Sequence, residues 1–107
     1  MELGVQIYGC MREFRADPEA FCARLKAAGY TQIEPCVALS MDAAALEKSG
    51  MNPVWQPEET AGFARLLEKH GLALTSCHVF GDPRGDAEKA ADFAAQNHIR
   101  QIVVNCP

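Results

Sequence analysis

The chain has 107 residues, 49% of them hydrophobic and 22% charged, with a formal net charge of −4. That balance belongs to a folded globular chain and excludes a disordered, collagenous or coiled-coil one. The acidic sign, with no cluster of lysine and arginine, argues against nucleic acid as a partner.

In chain order, the first predicted strand is Leu3–Tyr8 (LGVQIY). A helix follows from about Pro18 to Ala28, with Asp17 placed to cap it, Pro18 at its first position and Gly29 able to end it in a left-handed conformation. Phe21, Cys22, Leu25 and Ala28 form its apolar stripe. The second strand is Thr31–Pro35. The next connection, Val37–Gln56, is roughly twenty residues long, against a usual 2–6, and Ser40–Lys48 suits a short extra helix within it. A second helix runs from about Pro57 to His70, with Phe63, Leu66, Leu67 and His70 on one face. The third strand is Leu72–Val79. A third helix runs from Asp86 to Gln96 with a small stripe of Ala87, Ala90, Ala91 and Ala94, and the fourth strand is Arg100–Cys106.

The junctions AAGY-TQIE, KHGL-ALTS and QNHI-RQIV repeat one pattern: a helix end, a Gly or Asn, a larger apolar residue, then a strand. This predicts an α/β fold, a parallel βαβαβαβ unit. A complete (β/α)8 barrel takes roughly 250 residues, so the chain is expected to form at most half of one, as a single partial domain over residues 1–107. A doubly wound, flavodoxin-like sheet is the alternative, and strand order separates the two.

Parallel strands covered on both faces are nearly all apolar, yet these alternate. Val5 and Ile7 alternate with Gln6 and Tyr8, Gln32 and Glu34 flank Ile33, Thr75 and Cys77 alternate with Ser76 and His78, and Asn105 follows Val104. One face of each strand is therefore expected to meet helices. The other is expected to place Tyr8, Glu34, His78 and Asn105 around one pocket, with Cys10 and Cys36 just above. A carboxylate in a buried strand costs several kcal/mol unless it is paired or bound, so Glu34 faces either a ligand or a buried arginine or lysine. His78 suits a metal ligand, a general base or a partner for a hydroxyl, or a satisfied structural role. Tyr8 and Asn105 carry the same two readings. Cys10 and Cys36 offer thiolates for a metal site with histidine. Trp55, the single tryptophan, either stacks on a sugar ring or packs in the fold. His70 and His98, at helix ends, read as structural.

Several chemistries lack their motifs. There is no Gly-x-Gly-x-x-Gly, no Gly-x-x-x-x-Gly-Lys-Ser/Thr, no Gly-x-Ser-x-Gly and no His-Glu-x-x-His. The five cysteines, at 10, 22, 36, 77 and 106, include no Cys-x-x-Cys pair and read as reduced thiols. No apolar run approaches the ~20 residues of a membrane span. Met1-Glu2-Leu3-Gly4 lacks the start of a signal peptide, so no membrane partner and a cytoplasmic location are expected.

LGVQIYGCMREFRADPEAFCARLKAAGYTQIEP resembles the opening of the xylose isomerase-like sugar phosphate isomerases and epimerases. Those proteins often begin with a "GVQLY" strand, a Pro-Glu helix start and a "GY-x-x-(I/V)-E" second strand. GLALTSCHV is similar to their third strand, which commonly ends in Ser-x-His, and IRQIVVNCP to their fourth. The resemblance spans the chain. It implies the N-terminal half of a TIM barrel, an open-chain sugar substrate and a divalent metal (Mn, Mg, Co or Zn). It also implies that Glu34 and His78 line the substrate pocket, with Tyr8, Asn105 and Trp55 assisting, and that His78 reaches the metal. The family's main metal carboxylates and its catalytic Glu pair usually come from later strands. The chain is therefore expected to be incomplete as given and inactive alone. The apurinic endonuclease relatives are disfavoured by the acidic charge. Two rivals remain: a non-catalytic half-barrel module that pairs with itself as a homo-oligomer, or one that pairs with a C-terminal half barrel.

Overall fold

Short parallel strands alternate with helices in the computed structural model, which describes residues 2–39, 41–81 and 85–104. Strand β1 (Gly4–Gln6) is shorter than its apolar pattern, because Tyr8–Cys10 turns into a 3-10 helix and then into α1 (Met11–Ala16). Sequence periodicity did not reveal α1. It has six residues and no side-chain cap, so its only signal is the spacing of Met11 and Phe14, both fully buried.

Helix α2 (Pro18–Ala27) forms as expected: Asp17 Oδ1 accepts the Ala20 N–H at 3.1 Å, and Gly29 stops it at φ +98°. Strands β2 (Gln32–Glu34) and β3 (Cys36–Ala38) flank Pro35 on one extended path. Helix α3 (Ala43–Lys48) lies in the long connection, capped by Asp42. A 3-10 turn, Pro57–Glu59, leads into α4 (Thr60–Lys69). Strands β4 (Ala73–Leu74) and β5 (Ser76–Phe80) flank Thr75, and α5 (Ala87–Gln96) precedes β6 (Gln101–Val104).

All pairings are parallel. β1 pairs β2, β2 pairs β4, β3 pairs β5, and β5 pairs β6. Since β2 runs on into β3 and β4 into β5, the four extended segments stand in sequential order. That order is the barrel-type one; a doubly wound sheet reverses at a switch point. Among the described residues, β1 and β6 are the free edges.

One irregularity shapes the sheet. Ile33 stands opposite Leu74 and Cys36 opposite His78. Three steps on one strand match four on the other, so Thr75 is an inserted residue, a parallel β-bulge. Its carbonyl accepts both the Arg100 and Gln101 N–H groups at 3.1 Å.

The core lies between sheet and helices. Ile7, Phe14, Cys22, Ile33, Val37, Leu67, Cys77 and Val79 are buried there. The stripe of α5 is rotated from the expected one: Ala90 and Phe93 are buried, whereas Ala87 and Ala91 are exposed. Among the described residues, no helix is long and apolar enough to cross a membrane.

Candidate functional site

The face of the sheet turned away from the main core carries the polar residues. Strand alternation places Gln6, Gln32 and Glu34 there. The bulge brings both Thr75 and Ser76 to it, where strict alternation from Leu72 and Leu74 would have turned Ser76 toward the core. These side chains, with Gly4, line a cleft of about 200 Å³.

They are tied to one another. The Ser76 hydroxyl donates to Glu34 Oε2 at 2.6 Å, the short distance typical of a hydroxyl on a carboxylate. Thr75 Oγ1 donates to Gln32 Oε1 at 3.3 Å, and Gln32 Nε2 donates to Glu2 at 2.8 Å. Gln6 uses both ends of its amide, donating to Cys36 Sγ at 3.2 Å and accepting the Tyr8 N–H at 3.0 Å. Among the described residues, no arginine or lysine pairs with Glu34.

Toward the C-terminal ends of the strands the face becomes aromatic. The Tyr8 ring lies 6.0 Å from Phe80, and the His78 ring 5.5 Å from Phe80. The Tyr8 hydroxyl accepts the Asn52 N–H at 3.2 Å. His78 stands opposite Cys36 in register, and its Nε2 is buried with no hydrogen-bond partner. Burial, and then the charge of Glu34, push the Cys36 thiol up to about 12, so at neutral pH it is a neutral thiol. Cys10 sits exposed on the 3-10 turn. The described residues contain no group of three or more His, Cys, Asp or Glu able to hold a metal ion.

Glu34, His78 and Tyr8 thus share one face. Trp55 does not join them. Its side chain is fully buried, with its ring 5.4 Å from Phe14 and 4.6 Å from Phe63. Its backbone pairs with β3, donating to Cys36 O at 2.8 Å and accepting from Ala38 N at 2.9 Å. This extends the sheet where β1 has turned away, and it leaves no ring face open for a sugar. Asn105 lies outside the described residues. His70 ties α4 to α2 through Glu19, Nε2 to Oε2 at 2.6 Å, as its structural reading required. Gln6, Gln32 and Ser76 were not singled out from the sequence. Their signal was a polar residue at matching height on three successive strands, obscured at Ser76 by the bulge.

No family model matches the chain, and no curated protein matches it. Among solved structures it resembles a sugar phosphate isomerase/epimerase from Parabacteroides distasonis ATCC 8503, with a TM-score of 0.71 and 21% identity. The likeness covers 99% of this chain and 39% of that one, so the chain spans about two fifths of the neighbour's length. The fold is therefore α/β with parallel strands in sequential order, compatible with half of a TIM barrel of the kind seen in that isomerase/epimerase.

Proposed function

We propose that this chain forms part of a sugar phosphate isomerase or epimerase barrel, and that its polar face binds an open-chain sugar. The observation that carries this reading is the row Gln6, Glu34, Ser76 and His78 on one face of a barrel-type sheet. Its support from outside is the sugar phosphate isomerase/epimerase whose fold it shares. In this reading Glu34, held by Ser76, accepts a hydrogen bond from a sugar hydroxyl. The unpartnered Nε2 of His78 meets a second one. The Tyr8 hydroxyl, already accepting from Asn52, donates to a third, and Asn105 is a further candidate from the sequence alone. A cytoplasmic setting accompanies such a substrate.

The described residues do not assemble a divalent-metal shell: His78 Nε2 is a single free nitrogen, and no group of three ligating side chains surrounds it. Manganese, magnesium, cobalt or zinc would need carboxylates from other β/α units, and no step is assigned to a metal. Moving a proton between adjacent carbons takes a positioned base and acid. Glu34 is the carboxylate this face offers, and its counterpart must come from the rest of a barrel. The chain alone is then expected to bind without turning over.

The test is an isomerisation assay of the purified chain with aldose and ketose phosphates and each of the four metals, beside calorimetric titration with a pentulose 5-phosphate. No turnover is expected, with a dissociation constant on the order of 1 mM that Glu34→Gln weakens about tenfold, the scale of one charged hydrogen bond. Robust turnover by the chain alone, or no binding, would contradict the reading. The free edges β1 and β6 favour a second reading, a non-catalytic half-barrel module that pairs with itself or with a separate C-terminal half.

A further inference from the structure

Glu34 also bears on what can close over this face. Its carboxylate accepts a hydrogen bond from the Ser76 hydroxyl at 2.6 Å. The ion pairs among the described residues, Arg15–Glu59, Lys69–Glu19 and His70–Glu19, all lie in the helical layer. The side chain is half-buried now. The interior of an eight-stranded barrel is just wide enough for side chains to fill, so strands that complete the barrel would cover Glu34 and displace its water. A carboxylate covered in that way is costly unless a cation meets it.

A second copy supplies the opposite of a cation. Two-fold closure would join the β1 edge of one copy to the β6 edge of the other and set the two second strands diametrically across the barrel. An isologous interface places identical residues at identical heights, so Glu34 would face Glu34, between two chains that each carry a net charge of −4.

We propose that the β/α units closing over this face carry a lysine or arginine at the height of Glu34, and that the Glu34 carboxylate excludes a second copy at neutral pH. The proposal rests on the barrel reading above. It does not depend on which sugar the barrel takes.

The chain itself can provide the complementary charge. Sedimentation velocity at pH 7 would compare the wild type, the Glu34→Lys variant and their equimolar mixture, with circular dichroism confirming that each is folded. The expected result is two monomers when separate and a one-to-one heterodimer when mixed. The mixed pairing is expected to be roughly 100-fold tighter than either self-pairing, the scale of a close charge pair across an interface. Glu34→Arg repeats the experiment if the lysine variant does not fold. Wild type that self-associates as tightly as the mixture overturns the proposal, as does a mixture of folded chains that stays monomeric. Either failure leaves sugar phosphate binding by the wild type untouched, whereas loss of binding alone strikes the substrate reading and not this one.

Discussion

The Ser76 hydroxyl reaches Glu34 Oε2 at 2.6 Å across two neighbouring parallel strands, and it can do so because Thr75 is an inserted residue. Without the insertion, the alternation that buries Leu72 and packs Leu74 against the core would turn Ser76 inward and bring Cys77 to the polar face. A one-residue slip exchanges every side chain between faces. The bulge therefore lets one strand change parity midway, so that Cys77 and Val79 stay buried while Ser76 lines the cleft and His78 packs beside Phe80 on the same face.

Replacing Ser76 by alanine should lower stability by about 1 kcal/mol, the net worth of a hydrogen bond whose acceptor is still partly solvated. Urea denaturation of the single variants and of Ser76→Ala/Glu34→Gln, combined as a double-mutant cycle, isolates the pair. A coupling energy near zero would mean that the two side chains do not hold each other.

Trp55 belongs to the core, beside Phe14 and Phe63. Trp55→Ala should cost about 3–5 kcal/mol, as large-to-small aromatic substitutions do. Trp55→Phe should cost less than about 1.5 kcal/mol, because the buried indole nitrogen has no partner to lose. Thermal unfolding checks both. As the single tryptophan, it also reports directly on stacking: its fluorescence should not change when sugar phosphate is added, and strong quenching would place a ligand against the ring.

Thiol reactivity should divide sharply. Cys10 is exposed, whereas Cys22, Cys36 and Cys77 are buried. Burial, and then the Glu19 charge, raise Cys22 to about 11; burial, and then the Glu34 charge, raise Cys36 to about 12. Cys77 is raised further, chiefly by burial. At pH 8 a disulfide reagent should modify Cys10 fast and those three only as fast as the fold opens. A raised thiol in the folded state contributes stability that is intact below the ordinary value of 9.0 and lost as pH climbs toward the folded values. Denaturant midpoints should therefore fall above about pH 9, and flat midpoints up to about pH 12 would contradict the buried placement.

Acid should act through the helical layer. The Arg15 guanidinium holds Glu59 below the usual carboxylate value of 4.5, and hydrogen bonds from His70 and then Lys69 do the same for Glu19. A lowered carboxylate gives stability that is present above 4.5 and lost as pH falls through the lower folded value. Glu59→Gln should flatten the fall of the melting temperature below pH 4.5; an unchanged acid limb would show that the Arg15 pair contributes nothing.

Much of the fold was legible because its signals are local. Asp17 caps α2, Gly29 and Gly71 take positive φ after their helices, and the long connection holds its extra helix, over Ala43–Lys48. Polar alternation marked the face carrying Tyr8, Glu34 and His78. What stayed hidden depends on tertiary context. The α1 helix has one buried pair to announce it. The bulge at Thr75 leaves the sequence pattern unchanged while reversing its meaning. The bridge of Trp55 to Val37 joins residues far apart in the chain. That bridge decides that an aromatic residue in a long loop is core and not a ligand platform.

The most direct measurement is an amide NMR titration of the isotopically labelled chain with a pentulose 5-phosphate, without metal. Binding at the polar face predicts saturable shifts at Gln6, Glu34, Ser76 and His78, weakened in parallel by Glu34→Gln. No shifts at these residues, or shifts confined to the outer surfaces of α2 and α4, would contradict the account.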